Sequence, residues 1–225
     1  MKKSFLRTIP VLLLTCILLV SAAPAAAQVS RDVVTVATVV TNTNTVAVPV
    51  YIRDLSGTPL GVDQPPGSRI QAYSIKVDYA PTPAVQSITF QRAGITAGLT
   101  PSFEASPSAP GSVTLINSFV EATNPIPFTL NAPAPGNQIG QLFVTLAPGV
   151  MPGTVISLTL DATLTQLSNQ AGTTRETVTL GTLTLVNGSI TVTAPATPAP
   201  AVPTLGQWGM ILLALLLVAV AIRHI

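Results

Sequence analysis

Histidine, cysteine and tryptophan each occur once in the 225 residues. The cysteine is Cys16 and the histidine is His224, both near the chain ends. The long stretch between them therefore lacks the parts of a Ser-His-Asp or Cys-His nucleophile system. Histidine-ligated zinc is excluded with them, and no disulfide can form there. Charged residues make up only 8% of the chain and aromatics 4%. All eight acids, Asp32, Asp54, Asp63, Asp78, Glu104, Glu121, Asp161 and Glu176, lie in the middle stretch. Of the ten bases, Lys2, Lys3 and Arg7 open the chain and Arg223 nearly closes it. The middle is thus mildly acidic, without the basic face that nucleic acid requires.

Carboxylates are the remaining route to chemistry. A pair of them can serve a glycosidase, but nothing in the spacing brings two together. Asp54, Asp63 and Asp78 could line a calcium site built from oxygen ligands. They are scattered and lack EF-hand spacing, so solvated turn residues are the plainer reading. No enzymatic activity, cofactor or metal is expected.

Both chain ends read as targeting segments. Lys2, Lys3 and Arg7 precede an apolar run from Val11 to Val20, and Ala25-Ala26-Ala27 follows. This is the layout of a secretory signal peptide over residues 1–27, with Ala25 and Ala27 at the cleavage site and Gln28 the first mature residue. The alternative is an uncleaved anchor. Cys16 follows Thr15 rather than a small lipobox residue, so it does not read as an acylation site. At the other end, Leu205 to Ile222 predicts an apolar helix of about 27 Å, close to a hydrocarbon core of about 30 Å. Thr204 and Gln207 have capping-box spacing, with Pro203 and Trp208 placed as a staple. Trp208 suits a membrane interface, and Arg223 places the far end in the cytoplasm. The alternative is a buried core helix, which normally carries a polar stripe.

Between these segments the pattern is that of strands. Val46, Val48, Val50 and Ile52 alternate with Ala47, Pro49, Tyr51 and Arg53. Tyr73, Ile75, Val77 and Tyr79 alternate with smaller or polar neighbours, as do Ile156, Leu158, Leu160, Ala162 and Leu164. Period-two alternation predicts one buried and one wet face. Pro49 cannot donate to a ladder, which predicts an edge or bulged strand. Shorter runs predict strands over 85–90, 113–119, 139–146, 178–180, 183–186 and 189–193. Pro-Gly and Pro-rich turns separate them, and Asn187-Gly188 predicts a hairpin. Eight to ten short strands at this spacing predict an all-β sandwich. Residues 195–201 are rich in proline and alanine and predict an extended linker.

Two family resemblances sharpen this. Val202, Pro203, Thr204, Leu205, Trp208 and Gly209 resemble the IPTL-CTERM sorting signal of Gram-negative bacteria, with Val202 where isoleucine is usual. The resemblance implies envelope sorting through the export machinery, anchoring by a transmembrane helix, and a membrane-embedded processing enzyme. The order of elements over residues 28–194 resembles a bacterial cohesin-like domain. The resemblance rests on Val48-Pro49-Val50, the corner Val77-Asp78-Tyr79-Ala80-Pro81, Ile139-Gly140-Gln141-Leu142-Phe143, Pro152-Gly153 and Val186-Asn187-Gly188-Ser189-Ile190-Thr191-Val192. It implies a jelly-roll sandwich of about nine strands, related to carbohydrate-binding modules, whose members bind dockerins.

The resulting expectation is an exported surface protein of four parts, residues 1–27, 28–194, 195–201 and 202–225. Its sandwich would act as a non-catalytic binding or adhesion module with a dockerin-like protein as possible partner. The alternative is polysaccharide recognition. Tyr51, on the polar side of its strand, is the candidate ligand contact for that reading.

Overall fold

The computed structural model describes residues 30–195 and 205–223, apart from the side chains of Leu205 and Gln207. The leader with Ala25, Ala27 and Gln28, and residues 196–204 of the linker and sorting motif, lie outside the described residues. The chain divides into two compact units, Met1–Thr193 and Ala194–Ile225.

The first unit begins with β1 (Asp32–Val36), β2 (Thr38–Thr41), β3 (Thr45–Arg53), β4 (Ala72–Ala80) and β5 (Val85–Arg92). It continues through β6 (Phe103–Ala105), β7 (Ser108–Ala109), β8 (Ser112–Ser118) and β9 (Asn137–Leu146). It ends with β10 (Val155–Leu160), β11 (Gln166–Ser168), β12 (Arg175–Thr177), β13 (Leu183–Val186) and β14 (Gly188–Val192). The smaller sheet has the order β13-β1-β3-β9-β5. The larger runs β12-β11-β4-β10-β14-β2, with β8 on the other side of β4 and β6 and β7 against β8.

Alternating side chains from both sheets close one core. Val48, Val50 and Ile52 of β3 and Leu142 and Val144 of β9 face Ile75 and Val77 of β4, Leu115 of β8 and Ile156 and Leu158 of β10. Burying each such side chain stabilises the fold by about 1.5–3 kcal/mol, so this alternation fixes which face of each strand points inward. Tyr73 and Tyr79 are buried as their parity predicts.

Of four local expectations, one is met by its second alternative and three are corrected. Pro49 lies in a central strand, since β3 pairs with both β1 and β9. The predicted bulge is present, with a register shift between Val50 and Tyr51. The missing N–H is harmless because β1 departs there. Ala37 donates to the Pro49 carbonyl at 3.0 Å, and beyond Ala37 the chain enters the larger sheet as β2. Second, Asn187-Gly188 is not a hairpin. β13 runs parallel to β1 in one sheet and β14 runs parallel to β2 in the other. Third, the long strand expected through Leu164 ends at Leu160 and resumes as β11, and Leu164 is exposed. Fourth, residues 178–180 form a turn, with Gly181 N–H donating to the Val178 carbonyl at 2.9 Å.

The second unit holds one described helix, α1 (Leu205–Arg223). Its described side chains are exposed on every face. Among the described residues no helix is long and apolar enough to cross a membrane. The expected membrane span is therefore not shown.

Candidate functional site

The outward face of the larger sheet presents rows of side chains from β10, β4, β8 and β6. Register places its rows. Thr159 of β10, Asp78 of β4 and Ser112 of β8 stand side by side, and Ser157 stands beside Ala80. Lys76 lies opposite Thr114, and Ile116 lies between Ser74 and Ala105. Most of these side chains are short and polar.

Its centre carries three charges. Lys76 Nζ lies 3.0 Å from Asp161 Oδ2 and 3.3 Å from Asp78 Oδ1. Asp161 is built in by its own turn. Its N–H donates to the Lys76 carbonyl at 3.0 Å, and its Oδ1 accepts from the N–H groups of Thr163 and Leu164 at 2.8 and 3.1 Å. The Thr163 hydroxyl adds a bond of 2.6 Å. These four bonds turn the chain between β10 and β11. The Thr163 hydroxyl, and after it Lys76, hold the Asp161 carboxyl well below the usual carboxylate range. Asp161, more than Asp78, raises the Lys76 ammonium. One ammonium thus serves two carboxylates, which leaves the cluster with one net negative charge. Such exposed pairs contribute about 0–1 kcal/mol each; their effect is to fix a local pattern of charge.

Apolar groups stand at both ends of this face. Val155 lies beside Thr191, and Thr191 beside Val40, in one row across β10, β14 and β2. Val155 and Val40 are 54% and 66% exposed. At the other end Phe103, opposite Ser118, is 55% exposed. The face thus joins a polar, charged centre to exposed apolar side chains at its two ends.

Of the described residues expected from sequence, Asp78 lies on this face and the others fall elsewhere. Tyr51 is half-buried on the outward side of the smaller sheet, between Thr35 and Gln138. Asp54 is buried and Asp63 exposed at the connection between β3 and β4, whereas Asp78 lies on the larger sheet. Asp54 Oδ2 accepts the Val62 N–H at 2.8 Å, and Asp63 Oδ2 the Gly57 N–H at 3.0 Å. Burial pushes the Asp54 carboxyl up to about 6. Among the described residues no group of three or more His, Cys, Asp or Glu side chains could hold a metal ion. Trp208 is 52% exposed on α1, where Leu205 and Gly209 also lie.

Sequence reasoning missed two further acids. Asp32 and Glu176 are fully buried. Asp32 shares the parity of Val34 and Val36 in its strand, a signal visible in the sequence. Glu176 sits in a three-residue strand with no periodicity to reveal it.

Comparison with solved structures settles the fold. The third cohesin of ScaC from Acetivibrio cellulolyticus, in complex with the ScaB dockerin, matches with a TM-score of 0.52 at 17% identity, over 72% of this chain and 99% of that one. The fold is that of a cohesin. The seventh type I ScaB cohesin from Pseudobacteroides cellulosolvens matches with a TM-score of 0.50 at 15% identity, over 77% of this chain and 98% of that one. The cohesin of an OlpA–dockerin complex from Clostridium thermocellum matches with a TM-score of 0.51 at 9% identity, over 72% and 99%. Separately, residues 200–224 match the model of the IPTL-CTERM motif. No curated protein matches the chain. The chain thus joins a cohesin-like domain to a C-terminal sorting signal.

Proposed function

We propose that this is an exported, surface-sorted protein whose cohesin-like domain binds a protein partner, without catalysis, through the outward face of the larger sheet. The observation that carries this is the face itself, with the paired charges of Lys76, Asp78 and Asp161 between apolar ends at Val155 and Phe103. Similar cohesin structures were solved with dockerins bound, which makes a dockerin-like protein the leading partner. The IPTL-CTERM match points to export and surface sorting. In this reading the leader is cleaved before Gln28, and 202–209 is the stretch a membrane-embedded processing enzyme would recognise. The exposed apolar side chains of α1 require lipid or protein to cover them; anchoring by this tail before processing is part of the proposal.

The test immobilises the full-length protein in detergent over envelope extract and identifies what is retained. Ile116→Arg and Val155→Arg are placed on the proposed face. Each is expected to weaken capture of a defined partner by about 2 kcal/mol or more if it lies at the centre of the contact, with an unchanged melting temperature. A partner retained equally by both variants would move the site off this face.

One observation supports polysaccharide recognition as a second reading. The outward side of the smaller sheet carries Tyr51, Phe143, Gln91, Gln138 and Gln141, and at its margin Arg53, whose Nε donates to the Ala132 carbonyl at 2.7 Å. An almost uncharged surface of rings and amides suits a neutral sugar. Glycan-array binding lost in Tyr51→Ala, and retained in Ile116→Arg, would favour this reading.

A further inference from the structure

Two carboxyl groups meet in the interior, where the connection between β3 and β4 crosses the end of the sandwich. Asp32 opens β1 and Glu176 is the middle residue of β12; both are fully buried. Each uses one oxygen to hold that connection. Asp32 Oδ1 accepts the Leu55 N–H at 2.8 Å, and Glu176 Oε1 accepts the Leu60 N–H at 2.9 Å. The remaining oxygens, Asp32 Oδ2 and Glu176 Oε2, are shut off from solvent and have no donor. The two carboxyls act directly on each other.

No cation acts on either group, although Arg69 lines the same cleft as Asp54. Beyond each other and the two amides, Asp54 acts on both groups and the Thr58 hydroxyl on Glu176. Asp63 faces Asp54, and Arg31, the sequence neighbour of Asp32, is exposed. Two ionised carboxylates in contact in a dry interior repel strongly, and such pairs retain a proton between them. One proton would satisfy both orphan oxygens at once.

We propose that Asp32 and Glu176 share a single proton and form a latch that pins residues 55–60 to the sandwich, and that losing this proton to solvent releases the segment. Deprotonation leaves two carboxylates and one free proton, with no other group changed. Glu176 is the member free to move, because β12 is a three-residue edge strand paired only with β11. Burial, reinforced by the partner carboxyl in the case of Asp32, raises both groups, which places the opening on the alkaline side. This latch is independent of the proposed binding face.

The experiment follows amide hydrogen exchange of the full-length protein in detergent from about pH 5 to about pH 10, a range spanning ordinary and raised carboxyl values. Exchange at Leu55 and Leu60 is compared with that at core amides such as Leu115. The latch predicts that Leu55 and Leu60 gain about a further tenfold over the core amides as the proton leaves. Glu176→Gln can still accept from Leu60 while its amide donates to Asp32, so it should abolish the extra gain. A parallel rise at all amides in the wild type, or the same extra gain in Glu176→Gln, overturns the latch. Carboxyl carbon shifts of the wild-type protein give a reading that needs no variant. A coupled titration with one step above neutral supports the proposal, and two separate titrations near pH 4 overturn it. If a chelator opens the segment at neutral pH, a cation and not a proton ties the pair, and the proposal also fails.

Discussion

The carbonyl group of Ala37 lies directly over the Cα of Gly188. A Cβ at Gly188 would run into the Ala37 oxygen and lie 2.6 Å from that of Val36. These residues mark the level at which both terminal strands change sheets, β1 into β2 and β13 into β14. The two crossings lie side by side and tie the sheets together at both chain ends of the domain.

Gly188→Ala should therefore cost about 1–3 kcal/mol, the range for forcing extra atoms into a packed site. Urea denaturation measures it. A variant as stable as the wild type would mean that the crossing can widen without loss.

Leu158 and Leu164 share parity in the sequence but not environment. Leu158 is 1% exposed and Leu164 52%. Leu158→Ala should cost about 2–5 kcal/mol, whereas Leu164→Ala should stay within about 0.5 kcal/mol of the wild type. Equal losses in denaturant midpoints would argue for one unbroken strand past Leu160.

Asp54 gives a pH dependence of known sign. Its carboxyl is raised from the ordinary 3.8 to about 6, first by burial, with the Asp63 charge adding to it. The folded state thus binds this proton more tightly than the unfolded state. The stabilisation is complete below the ordinary value and is lost as pH rises through about 6. Melting temperatures recorded between those two values should fall with rising pH, and Asp54→Asn, which still accepts from Val62, should flatten that slope. An unchanged slope would assign the titration to another group.

In the tail, Trp208→Ala should leave export and leader cleavage intact and impair final placement. Deleting residues 209–225 should release soluble domain. Cell fractionation and the mature N-terminus report both outcomes. If residues 202–208 can be exchanged for an unrelated polar spacer without changing location, recognition of the motif is ruled out.

Much of this protein was legible in its residues because the deciding interactions are local or periodic. Alternation over β3 and β4 follows from a two-residue pleat and names the core side chains without reference to a partner strand. The sorting motif is likewise contiguous, and its match to 200–224 needs no fold. Tertiary structure decided what depends on neighbours. Pro49 sits in a central strand because β1 leaves where its N–H would be needed. Asn187-Gly188 has the composition of a hairpin, yet pairing with β1 and then β2 pulls the two flanking strands into different sheets. The carboxyls of Asp32 and Glu176 meet across 144 positions of sequence. No local pattern encodes that contact, because strand order and the path of a connecting segment determine it.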